Sequence, residues 1–118
     1  MLITNSTRIA RQRGDNTLSN KVTAKQAEAA LAEVARQLSE KLGREVPTGE
    51  EAANHAAGPM LVMDWDWPGE PTPSIICEGL YIGDYGWTYA LDMEKIWDAA
   101  DCFAEPYAGW ALCLYPKA

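Results

Sequence analysis

The period of the apolar residues changes near residue 60, and this change restricts the folds that the chain can form. Before it, apolar residues recur at spacings of three and four, the period of one helix face. They are Ala27, Leu31, Val34, Leu38 and Leu42. From Met60 onward apolar and polar residues alternate, which is the period of a strand with one face on the core. The chain is therefore expected to place helices before a sheet.

Capping residues set the bounds of the first helices. Thr23 with Gln26 three residues later fits a capping box, and Gly43 follows the last apolar position, so the first helix is predicted between them. A second start signal, Thr48 with Glu51, precedes an alanine-rich stretch that stops at Gly58 and Pro59. This pattern predicts a short second helix that docks on the rest of the protein.

The later half of the chain predicts four to five short strands and one more helix. Strands are expected at 60–67, 74–77, 80–82, 87–91 and 110–115, the last being central because it is apolar on both faces. Asp92 caps the intervening helix, whose inward residues are expected to be Met93, Ile96, Trp97, Ala100 and Phe103. The fold class is thus α+β with an antiparallel sheet. The expected core includes Leu31, Val34, Leu38, Trp65, Trp97, Leu112 and Leu114.

With 118 residues the chain is long enough for one domain, 1–118, with a single core. Within residues 1–20, the segment 11–20 is polar and is expected to form a flexible arm, while Leu2, Ile3 and Ile9 ahead of it are able to supply a short edge strand. Three cysteines leave an odd thiol, and neither a signal peptide nor an apolar run of about 20 residues is visible. We expect a cytoplasmic protein with buried free thiols and no membrane contact.

Charge and aromatic residues are distributed unevenly. Residues 1–49 carry eight Lys and Arg against five Asp and Glu, whereas Asp64 to Tyr115 holds ten Asp and Glu against Lys95 alone. All eleven aromatic residues lie between Trp65 and Tyr115. An acidic field repels nucleic acid and attracts basic protein surfaces. Direct nucleic-acid binding is therefore not expected.

Four carboxylates form a stripe on the helix predicted after Asp92. Their spacings are four, three and four, at Glu94, Asp98, Asp101 and Glu105. Neighbouring like charges at this spacing repel by roughly 0.2 to 0.5 kcal/mol per pair, so the stripe does not stabilise the helix. It is either a solvated face or a ladder of negative charge presented to Lys and Arg residues of a partner.

A second acidic group consists of Asp64 and Asp66, within the strand predicted at 60–67, with Glu70 downstream. Two aspartates on one side of a strand lie about 7 Å apart and are able to share a divalent cation. An acidic strand edge that prevents pairing between sheets is the preferred interpretation, and no metal or cofactor is expected.

Other enzyme signals are weak. The only histidine, His55, would need a thiol brought to it for Cys-His catalysis, and no phosphate loop or hydrolase motif occurs. Aromatic residues near turns, with Tyr85 as the example, are instead candidates to anchor a protein partner.

In its acidic aromatic body and its lack of enzyme motifs, the chain resembles the small acidic inhibitors that phages encode against host defence, including anti-CRISPR proteins and DNA mimics. The resemblance implies a non-enzymatic protein that occupies the basic surface of a nucleic-acid-binding complex. The contacting residues would be Glu94, Asp98, Asp101 and Glu105, or the edge with Asp64, Asp66 and Glu70. The positive charge of residues 1–49 departs from a uniformly acidic mimic. A metal-dependent enzyme using Asp64 and Asp66 and a small adaptor or immunity-type protein are the alternatives.

Overall fold

The structure is a computed structural model that describes residues 22–49, 52, 58–65 and 71–117. The expectations for residues 1–20, for most of the second helix, and for His55, Asp66, Trp67 and Glu70 lie outside the described residues. No helix in the described ranges is long and apolar enough to cross a membrane.

The first helix, α1 (Ala24–Leu42), begins and ends where its capping residues predict. The Gln26 amide donates to Thr23 Oγ1 at 3.1 Å, and the Thr23 amide donates to Gln26 Oε1 at 2.9 Å. Gly43 closes the helix in the left-handed region with φ 69°. Midway along α1, Arg36 binds Glu33 at 2.6 Å, and this contact holds the pKa of the Glu33 carboxyl below its usual range. The capping-box prediction is confirmed.

The strands form an antiparallel sheet and a separate small hairpin. The sheet contains β1 (Met60–Trp65), β2 (Thr72–Ile76), β5 (Cys102–Ala108) and β6 (Ala111–Pro116), in the order β1-β2-β6-β5. The hairpin pairs β3 (Tyr81–Ile82) with β4 (Tyr85–Gly86). A 3-10 helix (Trp87–Ala90) and then α2 (Met93–Ala100) connect the hairpin to β5. The predicted α+β class, with a helix before the final strands, is confirmed.

Of the described helices, α1 and α2 pack on one face of the sheet and enclose the main core. Val34 and Leu38 of α1 and Ile96 of α2 are fully buried, as are Ile75 of β2 and Leu112 of β6. The first four residues of β6 are buried on both sides of the strand, which confirms its predicted central position. Leu31 and Trp97 lie at the margin of this core and are partly buried.

Trp65 does not lie where the alternation of β1 places it. Leu61 pairs with Ile75, whose side chain is in the core, but the register shifts after Val62 so that Trp65 pairs with Thr72. A bulge adds one residue to β1, and one added residue moves the following side chains to the other face. The assignment of Trp65 to the main core is therefore wrong.

The strand predicted at 87–91 is also wrong, because this segment forms the 3-10 helix. Trp87 and Thr88 are fully buried there. Trp87 Nε1 donates to the Cys77 carbonyl at 2.8 Å, and Thr88 Oγ1 donates to the Ala108 carbonyl at 2.6 Å. These tertiary hydrogen bonds satisfy polar side chains inside the protein, and local alternation gives no sign of them.

Candidate functional site

The four carboxylates of the predicted stripe do not share one helix face. Glu94 and Asp98 lie on α2, but the helix ends at Ala100, Asp101 adopts a left-handed conformation with φ 54°, and Glu105 lies on β5. All four side chains are exposed. The structure thus corrects the stripe to two carboxylates on a helix, one at its C-terminal cap and one on β5, which is the outermost of the described strands.

Asp101 occupies a junction between elements. Its carbonyl accepts a hydrogen bond from Gln26 Nε2 at 2.7 Å, which ties the start of α1 to the end of α2. Its carboxylate lies 3.8 Å from Lys117 Nζ. Asp101 therefore shapes the backbone and already faces a cation, whereas no such contact is found for Asp98 or Glu105 among the described residues.

Glu105 lies on the sheet face opposite the one on which α1 and α2 pack, and we call it the helix-free face with reference to these two helices alone. Cys102 and Ala104 of β5 point into the main core, so Phe103 and Glu105 between and after them point the other way. Across the strand pair, Phe103 lies opposite Tyr115 and Glu105 opposite Cys113. The helix-free face therefore presents two aromatic rings beside a carboxylate at the exposed end of β5 and β6.

The rings on this part of the helix-free face are open to solvent. Phe103 is 40% exposed and Tyr115 is 37% exposed. Lys117 Nζ lies 5.9 Å from the centre of the Phe103 ring, and the Trp97 ring meets Phe103 edge to face at 5.2 Å. Partial burial raises the pKa of the Tyr115 hydroxyl, and nearby Cys113 and Glu105 raise it further. Glu105 is thus near Tyr115, and the strand register makes Phe103 the cross-strand neighbour of Tyr115.

Further indole rings cover another part of the helix-free face. Trp65 meets Trp110 at 6.0 Å between ring centres, and Tyr107 meets Trp110 at 6.5 Å, both nearly perpendicular. Edge-to-face pairs at these distances contribute about 0.5 to 1.5 kcal/mol beyond the area they bury. The Trp65 indole nitrogen is buried without a hydrogen-bond partner among the described residues. These ring contacts pack the side chains of this part of the helix-free face against one another.

A second exposed aromatic group lies around the hairpin. Tyr81, Tyr85 and Tyr89 are 62%, 70% and 61% exposed. The hairpin is held against the β5–β6 turn because Gly86 and Gly109 are in direct backbone contact, and a Cβ added at Gly86 would lie 2.6 Å from the Gly109 carbonyl carbon. The structure confirms Tyr85 as an exposed side chain near a turn, and its role in binding stays a prediction.

Metal and thiol chemistry find little support in the described ranges. Asp64 is exposed on β1, while its predicted companions Asp66 and Glu70 lie outside them. No three His, Cys, Asp or Glu side chains come together there in an arrangement suited to a metal ion. Cys77, Cys102 and Cys113 are free and buried, and burial raises the pKa of the Cys77 and Cys102 thiols. A raised thiol pKa makes a poor nucleophile.

An open cavity of about 280 Å³ lies between the second half of α1 and the start of α2. Arg36, Lys41 and Lys95 line it together with Glu40. Arg36 already binds Glu33 through two hydrogen bonds of 2.8 and 2.6 Å. The cavity is therefore a polar groove in which the Arg36 guanidinium is already paired with Glu33.

Sequence reasoning missed the site on β5 because it extended the preceding helix through Glu105. One signal in the sequence favours a strand instead. Pro106 disfavours helical geometry at Glu105, the residue before it. Compared with known proteins, the chain matches no family model, no curated protein and no solved structure.

Proposed function

We propose that this protein is a non-enzymatic inhibitor that binds a basic surface of a nucleic-acid-binding complex, of the kind that host defence systems use. The observation that carries the proposal is that exposed carboxylates and exposed aromatic rings occur together in the described residues after residue 60, with Glu105 beside Phe103 and Tyr115 on the β5–β6 pair. From Asp64 to Lys117 the described residues hold eight carboxylates and two lysines. The long-range field of this part is negative, and its exposed large apolar side chains are mostly aromatic.

Such a surface suits a basic protein partner for two physical reasons. Exposed carboxylates steer a positively charged partner and raise its association rate, although each ion pair at a rim contributes little affinity. Exposed tyrosines and phenylalanines contribute the contact area, because aromatic rings are enriched at the centres of protein interfaces. Charge would thus set how fast the complex forms, and rings would set how long it lasts.

The test uses full-length tagged protein to capture partners from a bacterial lysate, followed by association kinetics with the purified partner. Asp98→Lys combined with Glu105→Lys reverses two exposed carboxylates while avoiding the strained Asp101 position. Glu45→Lys, an exposed site beyond the far end of α1, is the control with the same kind of charge change. The double variant is expected to lower the association rate by about tenfold or more, and the control by much less.

Salt provides an independent measurement. The wild-type association rate should fall as ionic strength rises past about 0.15 M, where the screening length is near 8 Å. Recovery of a nucleic-acid-binding complex with salt-sensitive capture supports the proposal. If capture changes neither with salt nor in the Asp98→Lys, Glu105→Lys double variant, the acidic surface is not the binding surface. A partner whose contact face is acidic would contradict the proposed class of partner.

A further inference from the structure

We infer that the helix-free face of the sheet binds an arginine side chain of the protein partner, with Glu105 as its ion-pair anchor and the Phe103 and Tyr115 rings as its flanking surface. This inference rests on the proposed function and specifies the chemistry that the partner must present. The proposed site is the part of the helix-free face formed by β5 and β6, and it does not include the hairpin tyrosines.

The register of the sheet brings these three side chains together. Phe103 and Tyr115 are direct cross-strand neighbours, whose Cβ atoms lie about 4.5 to 5.5 Å apart in such pairs. Glu105 is two residues further along β5 on the same face, a separation of about 7 Å. An extended side chain lying across the strands spans this distance. Both strands are fixed by continuous pairing from Cys102 to Pro106, so the arrangement exists before binding.

The charge of the site specifies a cationic occupant. No cation among the described residues pairs with Glu105, whereas Asp101 faces Lys117 and Glu33 binds Arg36. The same face already accommodates one ammonium group, because Lys117 Nζ lies 5.9 Å from the Phe103 ring centre. A ring attracts a cation held within about 6 Å of its centre. The site thus combines a ring that attracts cations with a carboxylate that pairs with no cation of the described residues.

Arginine fits this combination better than lysine. Its guanidinium is planar, so it stacks on a ring while two of its N–H groups donate to one carboxylate. A lysine ammonium is a compact and strongly hydrated charge that makes no bidentate pair. A neutral side chain of the same shape would leave the Glu105 carboxylate unpaired. Arginine is accordingly the side chain that we expect this site to bind.

The experiment titrates isotope-labelled full-length protein with the capped peptide Gly-Arg-Gly and follows the resonances by NMR. The matched peptide Gly-citrulline-Gly has nearly the same shape without the charge, and Gly-Lys-Gly has the charge without the planar group. Saturable shifts are expected at millimolar peptide on Phe103, Glu105 and Tyr115. Binding should be about tenfold weaker for the citrulline peptide and several-fold weaker for the lysine peptide.

Variants separate this site from general attraction to an acidic protein. Glu105→Gln should abolish the shifts on the Phe103 and Tyr115 rings, while Glu78→Gln, which removes an exposed carboxylate elsewhere, should leave them. The backbone spectrum of Glu105→Gln should otherwise match the wild type, which shows that the variant is folded. Shifts that persist in Glu105→Gln, that centre on Tyr81 and Tyr85, or that are equal for the citrulline peptide would overturn the inference.

Two further outcomes are distinguishable. Concentration-dependent shifts on Phe103 and Tyr115 without any peptide, together with slower translational diffusion, would mean that a second copy of the chain occupies the face, which overturns the inference. If lysate capture yields no basic partner while the titration gives Glu105-dependent arginine binding, the proposed function fails and the arginine site stands. If the partner binds and the titration is flat, only the arginine site fails.

Discussion

At the scale of single residues, Asp101 is the most constrained position, because it is the one non-glycine residue of the described ranges with positive φ. It closes α2, and its amide donates to the Trp97 carbonyl at 2.9 Å. A left-handed conformation costs a residue with a Cβ about 1 to 2 kcal/mol, and glycine avoids this cost. The strain at this turn redirects the chain from the helix into β5 and so positions Glu105.

Replacing Asp101 by glycine and by alanine separates backbone strain from charge. Both variants lose the contact with Lys117, which at 86% side-chain exposure of Asp101 is within the range of weak surface pairs. Asp101→Gly should therefore be more stable than Asp101→Ala by about 1 kcal/mol, measured as a difference in urea midpoint with an unchanged slope. Equal midpoints would mean that the turn relaxes out of the left-handed region.

Local rules anticipated the residues that cap helices and missed those set by tertiary structure. Thr23, Gly43 and Asp92 all cap as the sequence predicts, because capping involves neighbours within four residues. Trp65 was misplaced because its side depends on a bulge, which the alternating sequence does not announce. The partner roles of Glu94, Asp98 and Tyr85 stay predictions.

At the scale of elements, Gln37 is the main polar link between α1 and the start of α2. It is buried to 4% exposure. Its Oε1 accepts from the Asp92 amide at 2.7 Å, and its Nε2 donates to the Asp92 carbonyl at 3.1 Å and to Glu33 Oε2 at 2.9 Å. One amide thus satisfies a backbone donor and a backbone acceptor where α2 is about to begin.

Removing this link should loosen the packing of the two helices. Gln37→Ala leaves the Asp92 backbone groups without their partner and should lower the free energy of unfolding by about 1 to 3 kcal/mol. Gln37→Met retains most of the volume and should be almost as destabilising, since the loss concerns hydrogen bonds. Lys41→Ala, an exposed site one turn along α1, is the control and should stay within about 0.5 kcal/mol. A Gln37→Met variant as stable as wild type would contradict the role of the hydrogen bonds.

The elements could be predicted where one period ran long enough to be unambiguous. Along the 19 residues of α1, apolar residues recur at five positions on one helix face, and the helix forms as predicted. Only Asp101 separates the end of α2 at Ala100 from the start of β5 at Cys102. The carboxylates at Asp101 and Glu105 keep a helical spacing beyond Ala100 by coincidence. For this reason the fold class could be predicted from the sequence, whereas the position of Glu105 on a sheet required the structure.

At the scale of the whole molecule, the three buried thiols report on how the described structure opens. Cys102 lies on β5, Cys113 on β6, and Cys77 directly after β2, so they sample both the edge and the centre of the sheet. Only the thiolate reacts, and burial raises the pKa of the Cys77 and Cys102 thiols. At about pH 8 these groups are therefore protected both by lack of access and by protonation.

The native protein should react with a chromogenic aromatic disulfide about a hundredfold or more slowly than the protein in concentrated guanidinium chloride, which should release three equivalents of thiolate product. Leu38→Ala removes a fully buried core side chain and should cost about 2 to 5 kcal/mol. If the described structure opens as one cooperative unit, this variant should accelerate all three thiols by the same factor, resolved by mass spectrometry of the labelled peptides. Acceleration of Cys102 and Cys113 without Cys77 would instead show that the region beside the hairpin opens separately. It would then contradict opening of the described structure as one cooperative unit.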